Sequence, residues 1–327
     1  MKLATLAGGG PDGRLAVASS DLGRAVLAEA IAPTLQQALE RWAEAEGPLR
    51  ALAGALEAGD APGVFAFDPS AALAPLPRAW QWLDGSAYPS HGELMQQALR
   101  HPPIEADGPL MYQGLSHRFL GPAEDVPLPD EAHGIDFEGE FGVVTGEVPM
   151  GTGAEAASAM IRLLVQVNDW SLRALAPAEM KTGFGFVQAK PACSMAPVAV
   201  TPDELGDAWR DSRLHLRLHV WWNGEPFGHP DGGEMAWGFH ELIAHAARTR
   251  DLCAGTVIGS GTVSNHGFRE AGSTCIAERR GIEMVDHGQP RTGFMRFGDR
   301  VRMEARAGDG GSPFGVIDQR VVRAPRP

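Results

Sequence analysis

Every second residue from Leu214 to Trp222 is apolar (Leu214, Leu216, Leu218, Val220, Trp222), and the run meets Asn223-Gly224. Period-two alternation gives a strand one apolar face. Asn-Gly is the pair that a two-residue hairpin turn favours, because both central residues take positive φ. The same alternation runs through residues 136–144, with Phe137, Phe141 and Val143 on one face, and returns at Val301, Met303 and Ala305. Near the start, Leu3-Ala-Thr-Leu-Ala and Arg14-Leu-Ala-Val-Ala-Ser flank a loop of Gly, Pro and Asp, so residues 3–19 read as another hairpin. Helical spacing is confined to fewer stretches. One starts at about Pro33, a residue suited to the first helical position, and carries Leu35, Leu39, Trp42, Leu49, Leu52 and Leu56. Others are expected at 92–100, 154–162 and 239–248. Many strands and few helices predict a mainly β protein, a sandwich, barrel or roll with peripheral helices. Pro69, Pro75 and Pro77 mark a break, so a small β domain with a helix is expected over 1–78 and a larger β domain over 79–327.

Composition narrows the function. A net charge of −13 argues against a nucleic-acid partner, whose phosphates require a basic surface. No run of about 18 apolar residues occurs, so no membrane span is expected. Cys193, Cys253 and Cys275 match no zinc spacing, and an odd count without a secretion signal points to reduced thiols in the cytoplasm. His240 and His245 resemble a zincin pair, but five residues of helix turn them about 140° apart, too far round to share one zinc.

The chemistry lies in an ordered series: Asp84 and His91, then Glu138 and Glu140, then Asp169 and Arg173, then Lys190. Glu138 and Glu140, two apart on a strand, share a face. Singly, each of these residues reads as readily as a solvated charge, a turn or a cap. Together, four carboxylates sharing a pocket demand a cation, and hard divalent ions favour such oxygen cages. An imidazole beside the cage would supply a base near neutral pH. The series therefore suggests metal-assisted hydrolysis.

Taken in order, these segments resemble the fumarylacetoacetate hydrolase family from about residue 80 onward. Asp84-x6-His91 is similar to the family's first metal Asp and its catalytic His, Asp136-Phe-Glu138-Gly-Glu140 to its E-x-E metal pair, and Asn168-Asp169-Trp-Ser-Leu-Arg173 to its N-D-W-S-A-R. The resemblance implies Asp84, Glu138, Glu140 and Asp169 as ligands of Mg²⁺ or Ca²⁺. It implies His91, oriented by Glu278, as base, with Arg173 and Lys190 stabilising the oxyanion. Tyr88, Arg100, Tyr112 and Thr262 would contact substrate. Residues 1–78 resemble the small SH3-like barrel of fumarylacetoacetases, and the family's main fold is a mixed β-roll, usually a homodimer. Ala176 and Met180 depart from the Gln and Tyr of eukaryotic members, and Ser86 stands where a Tyr is expected. The implied reaction is cleavage of a carbon–carbon bond in a small β-diketone acid, foremost 4-fumarylacetoacetate to fumarate and acetoacetate. The alternatives are an acylpyruvate hydrolase or decarboxylase of the same superfamily, a biosynthetic enzyme on this scaffold, or a non-catalytic binding protein.

Overall fold

In the computed structural model, which describes residues 1–100, 106–308 and 310–325, ten strands lie in one sheet. Their order is Phe65–Ala66, Arg24–Leu27, Arg14–Ala18, Lys2–Leu6, Val198–Val200, Ile161–Asn168, Gly139–Thr145, Val257–Gly259, Trp82–Gly85 and Met111–Gln113. An eleventh, Ser194–Met195, also pairs with Ile161–Asn168. Pairing is antiparallel except between Val257–Gly259 and Trp82–Gly85. A second sheet has the order Glu225–Gly228, Arg217–Trp222, Arg300–Arg306, Val316–Arg323 and Val126–Leu128, its last pair parallel. The mainly β, mixed-sheet architecture is the expected one.

Both hairpins form. Lys2–Leu6 pairs with Arg14–Ala18 from Lys2↔Ala18 to Leu6↔Arg14. Asn223 and Gly224, at φ 51° and 84°, join Arg217–Trp222 to Glu225–Gly228. The alternating run is two strands rather than one, since Leu214 belongs to the short pair Trp209–Arg210 and Arg213–Leu214. Period two nonetheless buries Leu214, Leu216, Leu218 and Val220.

The helical expectations need correction at their ends. Thr34 Oγ1 accepts from the Gln37 amide and caps the first helix, so Pro33 precedes the cap instead of opening the helix. The stripe is also broken at Arg41 (φ −124°, ψ 39°) into Leu35–Glu40 and Trp42–Ala58. The helix expected at 92–100 spans Pro89–Leu99, and that at 239–248 spans Phe239–Ala246. Helix Ala154–Ser158 stops short, because Ile161 already begins a strand. Ala176–Thr182 and Ile276–His287 are helices that apolar spacing did not reveal. Among the described residues no helix is long and apolar enough to cross a membrane.

Alternation sends side chains of the central strands to two cores. Phe141, Val143 and Leu164 join Leu218, Val220 and Met303 of the second sheet. Val144, Leu163 and Val165 join Leu35, Leu39 and Leu49 of the N-terminal helices. The large sheet is thereby covered on both faces. It also crosses the expected boundary near residue 78: Lys2–Leu6 pairs with Val198–Val200, with Ala4 opposite Val198.

Candidate active site

Strand register brings the carboxylates together. Asp84 lies opposite Tyr112 on one side and Gly259 on the other. Gly259 in turn lies opposite Gly142, two residues beyond Glu140, and Glu140 faces Val167. Asp169 follows the end of strand Ile161–Asn168. Gly259 makes room for this: a Cβ there would stand 2.3 Å from Asp84 Oδ1 and 2.3 Å from the Trp82 ring.

Asp84, Glu140 and Asp169 are buried, and each offers an oxygen within 4.8 Å of the others. Burial, and then the facing Asp169, push the Asp84 carboxyl well above its usual range. Burial, followed by Asp84 and Asp169, does the same to Glu140. Among the described residues neither Glu140 oxygen has a hydrogen-bond partner. A buried carboxylate with no donor is costly, and buried charges are ordinarily paired or bound to metal. The three oxygens and the unpartnered Glu140 fit a divalent cation.

Glu138, the fourth expected ligand, lies outside that cluster of three. Its Oε1 is 2.8 Å from Lys190 Nζ and 2.9 Å from Arg173 Nη2, and it accepts from Ser171, while Oε2 accepts from Thr262. Burial pushes Glu138 up, but Arg173 and Lys190 outweigh it and hold the carboxyl well below its usual range. Lys190 also meets Asp169 Oδ2, so one ammonium links Glu138 to the cluster. Burial opposes the charge on Lys190, yet Asp169 and Glu138 raise its pKa. Arg173 Nε donates to Asp136 Oδ2 at 2.8 Å. Lys190 is buried and Arg173 half-buried.

His91, on the helix Pro89–Leu99, points its Nδ1 at Glu278 Oε1, 3.9 Å away. Glu278 is fully buried and accepts from Ser264 and, at 2.7 Å, from Ser273. The carboxylate is therefore held while facing the imidazole. Tyr112 donates from its hydroxyl to Asp169 Oδ2 at 2.6 Å, and Tyr88 donates to the Gly232 carbonyl at 2.9 Å.

A pocket of about 360 Å³ opens over these groups, lined by Asp84, Tyr88, His91, Tyr112, Glu138, Arg173, Lys190 and Thr262. Leu110, Met111, Met180 and Phe186 also line it. Arg100 does not. It caps its helix in the left-handed region (φ 54°) and is exposed. The loop before Lys190 is largely exposed, with Phe184 95% and Val187 85% accessible. Glu179 holds it from within by accepting from the amides of Val187, Gln188 and Ala189.

Sequence reasoning missed several supporting residues. Asp136 pairs with Arg173 and accepts from the amides of Ile276 and Ala277, tying the arginine to the helix that carries Glu278. Its signal was present, since Asp136, Glu138 and Glu140 continue one period-two series. Cys193, whose thiol donates to Asp169 Oδ1 at 2.9 Å, had no such signal.

A mixed-sheet β protein with a buried carboxylate cluster beneath a pocket is the class that this fold and site define. The family model for the fumarylacetoacetate hydrolase C-terminal domain matches residues 81–322, and that for fumarylacetoacetase N-terminal domain 2 matches residues 1–78. The chain belongs to the fumarylacetoacetate hydrolase family. It is 29% identical over 157 residues to a 2,4-didehydro-3-deoxy-L-rhamnonate hydrolase of Sphingomonas sp. (strain SKA58), a stretch covering 47% of this chain and 52% of that protein. The chain thus spans about half the length of the curated relatives it matches. The maleylpyruvate hydrolase of Sphingobium sp. SYK-6, solved with manganese(II) and pyruvate, shares the fold at TM-score 0.66 and 17% identity, over 99% of this chain and 100% of that one. A fumarylacetoacetate hydrolase from Exiguobacterium antarcticum does so at TM-score 0.65 and 19% identity, over 99% of both chains.

Proposed function

We propose that this protein is a divalent-metal-dependent hydrolase that cleaves a carbon–carbon bond in a β-diketone acid. The observation that carries the reading is the buried Glu140 carboxylate, without a donor among the described residues, facing Asp84 and Asp169 under a pocket lined by His91, Arg173 and Lys190. Asp84, Glu140 and Asp169 would hold the cation, with Glu138 as the fourth carboxylate. An all-oxygen donor set suits Mg²⁺ or Ca²⁺. When bound, such an ion supplies Lewis acidity toward a carbonyl oxygen.

The protein's own groups account for the proton and the developing charge. His91 takes a proton from water, with Glu278 orienting the ring. The hydroxide adds to the ketone carbon, and Arg173 and Lys190 stabilise the oxyanion. The bond from that carbon to the neighbouring methylene carbon then breaks. Its electron pair stays on the methylene carbon, which receives the proton from His91. Water thus delivers hydroxyl to the acid fragment and hydrogen to the ketone fragment, with no external oxidant or reductant. Tyr88, Tyr112 and Thr262 would line the bound acid.

4-Fumarylacetoacetate is one candidate within the class. Acylpyruvates are a second, favoured by the pyruvate bound to the maleylpyruvate hydrolase of the same fold. The reading includes residues 1–78 and 79–327 as two units of one homodimeric, cytoplasmic enzyme. A spectrophotometric panel of β-diketone acids, with and without chelator, tests it. Turnover that chelation abolishes is expected; turnover indifferent to chelator would contradict it.

A further inference from the structure

The pocket is divided by charge. Of its charged lining residues, Asp84 belongs to the carboxylate cluster, Lys190 meets Asp169 and Glu138, Arg173 meets Glu138 and Asp136, and His91 faces Glu278. Toward solvent the lining is Leu110, Met111, Met180 and Phe186, with Leu110 43% and Met180 59% exposed. Tyr112 connects the two halves: its hydroxyl reaches Asp169, and its ring meets Phe186 edge to face with centroids 5.1 Å apart. A substrate whose reacting end lies on the cluster must pass its other end beside Phe186 and Met180.

The two strong cations of the lining are held at the reacting end. Arg173 is engaged by Asp136 and Glu138, and Lys190 by Glu138 and Asp169. Among the described residues Arg100 and Lys181, the nearest cations in sequence, are exposed and do not line the pocket. An apolar mouth offers a terminal carboxylate no partner, and any water it gives up against these side chains is not replaced. It does favour a hydrocarbon tail.

We infer that Leu110, Met111, Met180 and Phe186 select β-diketone acids with an uncharged, apolar acyl tail over those ending in a second carboxylate. This rests on the hydrolase reading above and narrows it to a substrate class, setting 4-fumarylacetoacetate behind apolar acylpyruvates.

Butanoylpyruvate and succinylpyruvate test this directly, because their tails are of equal length and differ in ending in methyl or carboxylate. With the metal-loaded protein, kcat/KM for butanoylpyruvate should exceed that for succinylpyruvate by about tenfold or more. Met180→Arg changes an exposed residue and should raise succinylpyruvate turnover, closing or reversing the gap. Equal or better turnover of succinylpyruvate by the wild type would overturn the inference, as would an unchanged ratio in Met180→Arg. Kd values for the same pair, measured by calorimetry, separate this from the reaction itself. If neither is cleaved, the hydrolase reading fails, and the ratio of Kd values still decides the tail preference.

Discussion

Glu140 concentrates the electrostatic tension of the site. Its pKa is raised by burial and by Asp84 and Asp169, so between the usual carboxylate range and that elevated value the metal-free folded protein binds a proton more readily there than the unfolded chain does. Glu140's own contribution to the stability of the metal-free protein is full below the usual carboxylate range and is lost as pH rises through the elevated value, opposite in sign to that of Glu138, whose carboxyl is held low. Glu140→Gln removes much of that slope. It should raise the melting temperature of metal-free protein at neutral pH while abolishing metal binding; a lower melting temperature would show that the carboxylate is already satisfied. His91 makes a different prediction. A general base contributes roughly 10²–10⁴-fold, so His91→Ala should lower kcat by that order and leave the calorimetric metal affinity unchanged. Loss of metal together with activity would make His91 a ligand. Glu278→Gln should give a smaller loss in kcat, since Glu278 faces the ring at 3.9 Å and does not line the pocket.

At the scale of elements, two connections hold the site in register. Asp136 binds Arg173 and caps the helix Ile276–His287 through two amides. Breaking a buried ion pair typically costs about 3–5 kcal/mol, so Asp136→Ala should destabilise by that order in urea unfolding, and a cost below about 1 kcal/mol would deny it the role. Gly259→Ala should push on Asp84 from the neighbouring strand and weaken metal binding; unchanged affinity would mean that the strands yield. The contrast between legible and illegible elements has a physical basis. Strands such as Arg217–Trp222 showed themselves because one face is buried and the turn requires particular residues. Period two spoke only for Glu138 and Glu140, and of these Glu140 alone lies in the cluster with Asp84 and Asp169, which stand on other segments and were suggested by the resemblance. Helix Ile276–His287 was not legible, because it buries only Ile276, Glu278 and Gly281, a set with no apolar stripe. Arg100 does not line the pocket, and its interval from His91 carried no information about where the helix between them ends.

Across the whole molecule, the large sheet joins what the two family models divide. Lys2–Leu6 supplies the edge against Val198–Val200, and the N-terminal helices cover one face of the central strands. Residues 79–327 alone would expose that apolar face and an unpaired strand edge, a recognised route to aggregation. The intact chain should therefore unfold in one transition seen alike by calorimetry and fluorescence, whereas two separated transitions would mark independent units. The sheet's purpose in the account is to hold Asp84, Glu140 and Asp169 around one point, and direct titration of metal tests that claim most squarely. Calorimetric titration of Mg²⁺ or Ca²⁺ into metal-free protein should show one site per chain, with affinity that rises with pH as protons leave the carboxyl cluster, and with binding lost in Asp169→Ala. Binding that survives Asp169→Ala undiminished, or a wild-type chain that takes up neither ion, would contradict it.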